Sequence, residues 1–428
     1  MFTKKTIEDI DLSGKTVLVR VDYNVPLKDG KVVDDYRIKQ SLPTLSYLLD
    51  KKARVILISH LGRPNGKPDL ELSLKPVVKV LEGMLKMNVP FADDCIGESV
   101  AKVLQNLQPG QLMLCENLRF HPEEENNDDQ FAKSLADPAD IFVQDGFGVV
   151  HRAHASTDAV TRYLPSVAGL LLKKEVDMIT DIMSNPKRPL MAIIGGAKIA
   201  DKLELIKKFI SLADIVAIGG AMANTFLLSQ GENIGESLVD RDELPIAKDI
   251  LRLAKDEEAK RDFVFSLPYD AVVAESIESN AKTRIVDWRS HVVADIENYP
   301  KRVPGSASMI KQHEKILDVG PFSGSFIAGC LQLVDTVVWN GTMGVTETTS
   351  MQGPIGPFAH GTELVIEAIL GQFGHRPFSL IGGGDTTGYL ESRGLIEQFD
   401  HVSTGGGASL ELMAGRVLPG VAALEDAK

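Results

Sequence analysis

The chain has 428 residues, 44% of them hydrophobic, and a formal net charge of −13, which fits an ordinary globular protein large enough for two domains. The acidic balance argues against a nucleic-acid partner, because proteins that bind nucleic acids need a basic surface. Three scattered cysteines, no secretory signal and no apolar run of the roughly 20 residues that a membrane span needs predict a cytoplasmic protein with reduced thiols and no membrane partner.

In the first half of the chain, four strand-like apolar runs end in cations and polar groups. The runs are VLVRVDYN at 17–24, VILISHLGR at 55–63, LMLCENLRF at 112–120 and IFVQDGFGVVHR at 141–152. Helix-like stretches with apolar residues at three- and four-residue spacing lie at 41–53 and 72–86, and this alternation predicts a mainly parallel sheet. Since open parallel sheets bind ligands at the carboxyl ends of their strands, these tips should line a site, and Arg and His suit a small anion.

Two of the basic residues in this half also have a plain structural interpretation. Arg37 could form a surface ion pair with a neighbouring aspartate, and Arg119 precedes an acidic run at 123–129. Asp22 and Asn24 can exchange hydrogen bonds with substrate hydroxyl groups, which cations cannot do. The position of these residues at successive strand ends favours a common anion site over the separate alternatives.

A helix-like stretch at about 171–184 lies between a turn and a proline-containing break, and a new strand follows it. A helix between two α/β halves can act as a rigid connector whose ends flex. We therefore predict that the two domains of the chain meet at this helix.

In the second half of the chain, the strand-like runs end in glycines. They are MAIIGGAK at 191–198, IVAIGGAMAN at 215–224 and FSLIGGGDTT at 378–387, and the turn GGG at 405–407 repeats the pattern before another helix. A further helix-like stretch lies at 202–213. Glycine turns that open into helices suit phosphates, because their backbone N–H groups can approach the anion closely. Neither the P-loop motif nor the dinucleotide-binding fingerprint is present.

Three charged residues accompany these glycine turns. Lys198 and Lys202 follow Gly196 near the positive end of a predicted helix, where cations are unfavourable without an anion; surface lysines are the plain alternative. Asp385 lies among amides that would face phosphate, a conflict that Mg²⁺ on nucleotide oxygens would resolve; an ordinary helix cap is the alternative. Two anion sites in one chain are expected of an enzyme that moves a phosphoryl group between two molecules.

The stretch 274–313 is charged and polar, unlike its surroundings. We interpret it as a surface excursion of the second half. The run TRIVDW at 283–288 is expected to form an edge strand there.

Taken together, the motifs resemble phosphoglycerate kinase over nearly the whole chain. They are RVDYNVPL, DDYRI, SHLGRP, ENLRFHPEEE, DGFGVVHRAHAS, GGAKIADK, GGAMANTFL, LDVGP, WNGTMGV, GGGDTT and HVSTGGGASLELMAG. The resemblance implies an α/β fold with two Rossmann-like domains, each a mainly parallel sheet flanked by helices, joined by a hinge helix. It also implies a glycolytic enzyme, monomeric in this family, that transfers a phosphoryl group between 1,3-bisphosphoglycerate and ADP, giving 3-phosphoglycerate and ATP, with Mg²⁺.

The same resemblance assigns domains and residues. The domains are a 3-phosphoglycerate-binding domain at 1–170, a hinge helix at 171–185, a nucleotide-binding domain at 186–404 and a tail at 405–428 that packs back on the first domain. The substrate-binding residues are Asp22, Tyr23, Asn24, Arg37, His60, Leu61, Gly62, Arg63, Arg119 and Arg152, with Arg20, His151 and His154 in the same basic patch. The nucleotide-binding residues are Gly196, Lys198, Lys202, Asn340, Glu347, Gly383, Gly384, Asp385 and Thr386, with Asp385 on the metal. The residues expected to act on the transferred group are Arg37, Lys198, Gly384 and Gly407.

Some positions depart from the usual family pattern. Thr342 and Thr346 stand where the family usually has a proline and an aromatic residue, and Ile316 stands where it usually has a loop glycine. Because these positions surround the base and ribose, the preference for ATP or GTP stays open. The rival functions are a non-catalytic relative, which the retained lysines and arginines disfavour, and an NAD-dependent oxidoreductase, which the absent fingerprint disfavours.

Overall fold

The computed structural model describes residues 2–288, 310–350 and 353–427. The chain forms two compact units. The first unit comprises Met1–Asp181 and Thr404–Lys428, and the second comprises Ile182–Ser403. Among the described residues, no helix combines the length and the apolar run that a membrane crossing needs.

The first unit is built on a six-stranded sheet in which all neighbours are parallel. Its strands are β1 (Thr16–Arg20), β4 (Arg54–Ile58), β5 (Phe91–Ala92), β6 (Leu112–Cys115), β7 (Ile141–Gln144) and β8 (Ser166–Ala168), and a two-stranded ribbon adds β2 (Leu27–Lys28) and β3 (Lys31–Val32). Its helices are α1 (Tyr36–Asp50), α2 (Lys75–Leu85), α3 (Gly97–Leu104), α4 (Pro122–Glu125), α5 (Asp129–Ala136) and α6 (Leu170–Ser184), whose last residues belong to the second unit.

The strand order β5-β6-β4-β1-β7-β8 makes β1 central, and all five of its residues are buried. The chain first builds the sheet on one side of β1 and then crosses to the other side with β7. A ligand crevice is expected where this order reverses, outside the carboxyl ends of β1 and β7.

The second unit also has a six-stranded parallel sheet, in the order β11-β10-β9-β15-β16-β17. Its strands are β9 (Leu190–Ile194), β10 (Ile215–Ile218), β11 (Val264–Ser266), β15 (Thr336–Asn340), β16 (Phe378–Gly382) and β17 (His401–Val402), and a separate antiparallel sheet contains β12 (Asp270–Ala274), β13 (Arg284–Asp287) and β14 (Lys315–Val319). Its helices are α7 (Leu203–Leu212), α8 (Met222–Ser229), α9 (Leu244–Glu258), α10 (Pro321–Leu331), α11 (His360–Ile369) and α12 (Gly384–Ser392). The order reverses between β9 and β15, as in dinucleotide-binding folds.

The C-terminal segment contributes α13 (Gly407–Met413) and α14 (Pro419–Ala422) to the first unit. The buried Glu175 of α6 accepts hydrogen bonds from both the backbone N–H and the hydroxyl of Thr404, each at 2.7 Å. Further along, the Gly420 N–H donates to the Val150 backbone oxygen at 2.9 Å. These bonds fix the glycine turn at 405–407 against the loop that follows β7.

The predicted α/β class with parallel sheets is confirmed, and each predicted helix lies close to an observed one. The largest difference is α1, which begins at Tyr36 because the Asp34 carboxylate accepts a hydrogen bond from the Tyr36 N–H at 2.8 Å. The predicted start at 41 left Arg37 outside the helix, whereas it lies in the first turn. The predicted edge strand is β13, at the edge of the antiparallel sheet; residues 289–309 of the predicted excursion lie outside the described part of the chain.

Candidate active site

The strand tips of the first sheet enclose a cavity of about 300 Å³. Loops after β1, β4, β6 and β7, the first turn of α1 and the glycine turn before α13 form its walls. Its lining residues are Asp22, Asn24, Arg37, His60, Gly62, Arg63, Arg119, Gly148, Val149, His151, Arg152, Gly405, Gly406 and Gly407. The charged and amide side chains that the sequence placed at separate strand ends therefore meet in one cavity.

Among the described residues that line this cavity, Asp22 carries the only carboxylate, and Arg37 forms an ion pair with it. Its guanidinium donates to Asp22 at 2.8 Å and to the Asn24 backbone oxygen at 3.3 Å. The Asn24 side-chain oxygen in turn accepts from the Gly62 N–H at 2.9 Å. The Asp22 side chain is 7% exposed and that of Arg37 is 29% exposed. Arg37 keeps donor capacity toward the cavity, because a guanidinium has more N–H groups than these bonds use.

His60 lines the cavity as a buried, neutral ring. Its Nδ1 lies 3.3 Å from the Arg20 guanidinium, which can only donate, so Nδ1 accepts and Nε2 carries the proton. Burial, together with the charges of Arg20 and Arg119, holds the pKa of His60 well below its ordinary value. Arg20 is itself buried and bonded to Ser156 at 2.8 Å, so it supports His60 from below the cavity.

Arg119 fits both of its sequence interpretations. It lies 3.1 Å from Glu125 of the acidic run, yet it also donates to the Gly62 backbone oxygen at 2.8 Å and lines the cavity. Its loop is held by Asn117, whose side-chain oxygen accepts from the N–H groups of Arg119 at 3.0 Å and Leu61 at 3.2 Å. The sequence analysis did not single out Asn117, and its place directly after a strand run is the one signal that pointed to it.

The remaining basic residues separate into two groups. Arg152 donates to His151 Nε2 at 3.1 Å, and both line the cavity with the exposed Arg63. Burial and the Arg152 charge lower the pKa of His151. His154 is not part of the lining; its Nδ1 lies 3.8 Å from buried Glu124, and burial lowers its pKa to about 4.

Two residues named from the motifs turn their side chains into the protein. Tyr23 is fully buried, and its hydroxyl lies 2.9 Å from that of Ser41. Leu61 is buried and lines a different groove. Neither side chain lines the cavity, so both residues support the loops that carry their neighbours.

Close backbone approach explains two glycines of this cavity. A Cβ at Gly148 would lie 2.2 Å from the Asp22 carboxylate, so only glycine allows the loop after β7 to reach the loop after β1. A Cβ at Gly405 would lie 2.3 Å from the Phe147 ring. The turn at 405–407, which by sequence resembled the nucleotide-type turns of the second half, lies in the first-unit cavity.

The second unit has a cavity of about 200 Å³ at the tips of β9, β10 and β15 and beside the antiparallel sheet. Its polar and glycine lining residues include Gly196, Gly220, Thr342, Glu347 and Asp385, and its apolar lining residues include Leu227, Leu238, Pro268, Trp288 and Ile316. A cavity with both kinds of lining suits a ligand that carries phosphates and a flat base.

Lys202 hydrogen-bonds to the backbone at the carboxyl ends of β9 and β15, between which the strand order reverses. Its Nζ donates to the Gly195 backbone oxygen at 2.5 Å and to that of Asn340 at 3.2 Å. Burial lowers its pKa to about 8, while the nearby carboxylates of Asp385 and Asp201 act in the opposite direction. The pKa of this lysine therefore lies close to physiological pH, so a bound anion would shift its protonation.

The loop after β16 is braced against the loop after β15. The Thr386 hydroxyl accepts from the Gly341 N–H at 2.7 Å, so this side chain is used inside the protein. Gly383 has φ +95°, and a Cβ there would lie 3.1 Å from the Asn340 amide. Asn340 is buried, and neither of its side-chain polar atoms has a partner among the described residues. Gly384, next to Gly383, is the first residue of α12.

Two charged residues expected at this site are exposed. Asp385 lies in the first turn of α12, and its side chain makes no hydrogen bond or ion pair with the residues that the structure describes. Lys198 is likewise exposed after the first glycine turn and does not line the cavity. Two of the positions that differ from the usual family pattern are Thr342 and Thr346. Thr342 lines the cavity and donates to the Gly344 backbone oxygen at 2.9 Å, whereas Thr346 is buried outside the cavity.

Two clefts of different chemistry in one α/β chain are what a phosphotransferase needs, because it must hold the donor and the acceptor of one phosphoryl group. The family model for phosphoglycerate kinase matches residues 7–416. The chain belongs to the phosphoglycerate kinase family, and the reaction of that family is its reaction: reversible phosphoryl transfer between 1,3-bisphosphoglycerate and ADP, giving 3-phosphoglycerate and ATP.

Individual relatives agree over the full length. The phosphoglycerate kinase of Moorella thermoacetica is 44% identical over 423 residues, covering 99% of both chains. That of Dictyoglomus turgidum is 45% identical over 426 residues, again covering 99% of both chains. The structure of the Coxiella burnetii enzyme superposes with a TM-score of 0.78 at 35% identity, covering 98% of each chain.

Proposed function

We propose that the first-unit cavity binds the phosphoglycerate. In this assignment, Arg63, Arg119 and Arg152 neutralise its phosphate, while Asp22 and Asn24 bond its hydroxyl group. The neutral His60 adds an Nε2–H donor. The support for this assignment is the collection of guanidinium groups from separate loops around one carboxylate, since a cavity with this excess of positive charge suits a small, multiply charged anion.

The second-unit cleft is assigned to the nucleotide. Lys202 and the backbone N–H groups near Gly196, Gly383 and Thr386 would hold its phosphates, and Glu347 its ribose. The apolar lining residues, which include Trp288, would pack against the base. The single observation that carries this assignment is the cleft at the reversal between β9 and β15, beside a half-buried lysine that bonds to the tips of both strands.

Asp385 fits the magnesium ion that phosphoryl transfer to and from nucleotides requires. Its carboxylate is exposed, lines the cleft and has no protein cation bound within the described residues. Mg²⁺ is usually held by one or two carboxylates together with phosphate oxygens and waters, so one aspartate is a sufficient protein share. When bound, the ion would neutralise charge on the nucleotide phosphates.

The transfer itself needs no general base, because the acceptor is already a carboxylate. The protein must position the two reactants in line, neutralise charge and exclude water. We assign the neutralisation to Arg37 and Lys198 and to the backbone N–H groups of Gly384 and Gly407. Domain closure about the hinge helix at 171–185 would bring the reactants within reach of each other. The active form is proposed to be a cytoplasmic monomer.

A coupled assay tests this function. Pure protein with Mg²⁺ should consume 3-phosphoglycerate in an ATP-dependent manner, with production of 1,3-bisphosphoglycerate followed by the NADH consumption of a coupling dehydrogenase. A protein that binds 3-phosphoglycerate by calorimetry but shows no turnover would support the non-catalytic alternative. Binding of NADH in the absence of the coupling enzyme would support the oxidoreductase alternative.

A further inference from the structure

A group of three side chains that can bind metals lies in the first unit, outside the cavity described above. Asp94 and Cys95 follow β5, and His121 directly precedes α4. One ligand atom from each, namely a carboxylate oxygen, Sγ and a ring nitrogen, lies within 4.8 Å of the other two. It is the one such group among residues 2–288, 310–350 and 353–427.

Two of the three residues, Cys95 and His121, already contact the carboxylate of the third, Asp94. The His121 Nε2 lies 2.8 Å from Asp94 Oδ1, and the Cys95 backbone N–H donates to the same oxygen at 2.6 Å. The cluster thus holds a carboxylate, an imidazole and a thiol close enough together for one cation to contact all three.

The distances suit a small divalent ion. Tetrahedral zinc with one sulfur, one nitrogen and one oxygen ligand sets those atoms roughly 3.3 to 3.6 Å apart. The nitrogen and oxygen lie 2.8 Å apart, and all three ligand atoms lie within 4.8 Å of one another, so the group has the size that one zinc ion coordinates.

The surroundings leave a path to solvent and fix the ligands. The side chains of Asp94 and His121 are 42% and 28% exposed, whereas Cys95 is buried behind them. The His121 ring packs on Phe131 with ring centroids 5.1 Å apart. The mixture of sulfur and nitrogen donors favours zinc over magnesium.

We propose that Asp94, Cys95 and His121 form a binding site for Zn²⁺ or a similar thiophilic divalent cation. The ion would join the segment after β5 to the start of α4, and it is separate from the magnesium assigned to the nucleotide. Because the ligand form of cysteine is the thiolate, binding must displace the thiol proton of Cys95.

Cobalt substitution tests this site directly. After treatment with EDTA and desalting, the intact protein is titrated with Co²⁺ and followed by near-ultraviolet absorbance, where a thiolate bound to Co²⁺ gives a charge-transfer band. We expect one Co²⁺ per chain with this band, and its loss when Zn²⁺ is added. Zn²⁺ should also raise the midpoint of thermal unfolding, because it binds the folded form.

Variants identify the ligands. Cys95→Ser should abolish the band, and Asp94→Asn and His121→Asn should each weaken binding by about tenfold or more. Cys330→Ser and His375→Asn, which alter the same residue types in the second unit, should leave both readouts unchanged. Circular dichroism and turnover with Mg²⁺ confirm that Cys95→Ser is folded. Absence of the band in the unmodified protein, its persistence in Cys95→Ser, or its loss only in Cys115→Ser would overturn the proposal.

Discussion

The two clefts differ in the groups that they would offer to a bound anion. The first-unit cavity uses guanidinium groups, which stay charged at every physiological pH, and ties several of them to fixed partners such as Asp22 and Glu125. The second-unit cleft is lined by glycine turns and apolar residues, and the half-buried Lys202, with a pKa of about 8, lies beside its lining residue Gly196. The first design suits a small, highly charged ligand of constant shape. The second suits a longer ligand with a neutral end, whose binding can itself change the charge of the site.

Removing Arg37 should break the first cleft most severely. We expect Arg37→Ala to lower kcat by roughly 10²- to 10³-fold, because an N–H donor directed at developing charge is lost and Asp22 is left without its cation. The affinity for ADP should not change, since the nucleotide cleft lies in the other unit. Steady-state kinetics and calorimetric titration with ADP measure the two effects separately.

Arg162→Ala is the matched control for this change. Arg162 belongs to the same unit and also pairs with aspartates, Asp129 at 2.9 Å and Asp158 at 3.0 Å, but it lies outside the cavity lining. Its loss should leave kcat nearly unchanged, as expected for an exposed ion pair. Equal kinetic losses in both variants would mean that Arg37 acts through stability of the unit and not through the transferred group.

Removing Lys202 should break the second cleft by a smaller factor. We expect Lys202→Met to weaken ADP binding by roughly 10- to 100-fold, the value of one charge-assisted hydrogen bond to a phosphate. The affinity for 3-phosphoglycerate should stay the same. Lys207→Met, which removes an exposed lysine 3.5 Å from Glu204, is the matched control. Loss of 3-phosphoglycerate binding in Lys202→Met, measured by calorimetry, would contradict the division of the two ligands between the units.

The contrast between the clefts was readable from sequence because strand ends are a local signal. A buried apolar run that stops at Arg63 or at Gly195 reports both the end of a strand and the chemistry placed there. In a parallel sheet the carboxyl ends of all strands lie on one edge, so the residues that follow the strands are expected to line one site. The predicted roles of these residues remain predictions, but their convergence did not need a tertiary structure to be expected.

Other features depend on contacts that no local pattern encodes. By its local pattern the turn at 405–407 resembled the nucleotide-type turns, and only the family resemblance assigned residues 405–428 to the first domain; the bonds of Thr404 to Glu175 hold the turn in the first unit. Tyr23 lies between two cavity residues but bonds to Ser41 in the interior. Which side of a strand end faces the ligand is decided by partners that are distant in sequence, and these partners are visible only in the folded chain.

The pH dependence of nucleotide binding should separate the two designs further. The free protein has Lys202 with a pKa of about 8. Bound phosphates favour the charged lysine and raise this pKa, so binding takes up a proton above pH 8. The ADP association constant should be flat below that pH and fall by up to about tenfold per pH unit above it. Calorimetry in buffers of different ionisation enthalpy counts the protons, and Lys202→Met should remove the slope.

Binding of 3-phosphoglycerate is the internal comparison for this experiment. Its cavity contains arginines and two histidines, His60 and His151, whose pKa values are both held below the ordinary value, so nothing assigned to it titrates near pH 8. The affinity should therefore stay level where that for ADP falls. A parallel decline of both affinities would point to a global change of the protein and not to Lys202.

The smallest expected effect concerns the base. The apolar lining residues of the second cleft include Leu238, Trp288 and Ile316, which could pack against either purine base. Apolar side chains discriminate poorly between bases of equal shape. We therefore expect kcat/KM for ATP and GTP to differ by less than about tenfold.

A much stronger preference for ATP would require a polar group that hydrogen-bonds to the 6-amino group of adenine. The structure offers one candidate, Asn224, whose amide N–H donates to the Leu238 backbone oxygen at 3.0 Å while its side-chain oxygen has no partner among the described residues. If that oxygen reads the base, Asn224→Ala should reduce the preference, and if the walls alone bind it, the ratio should not change.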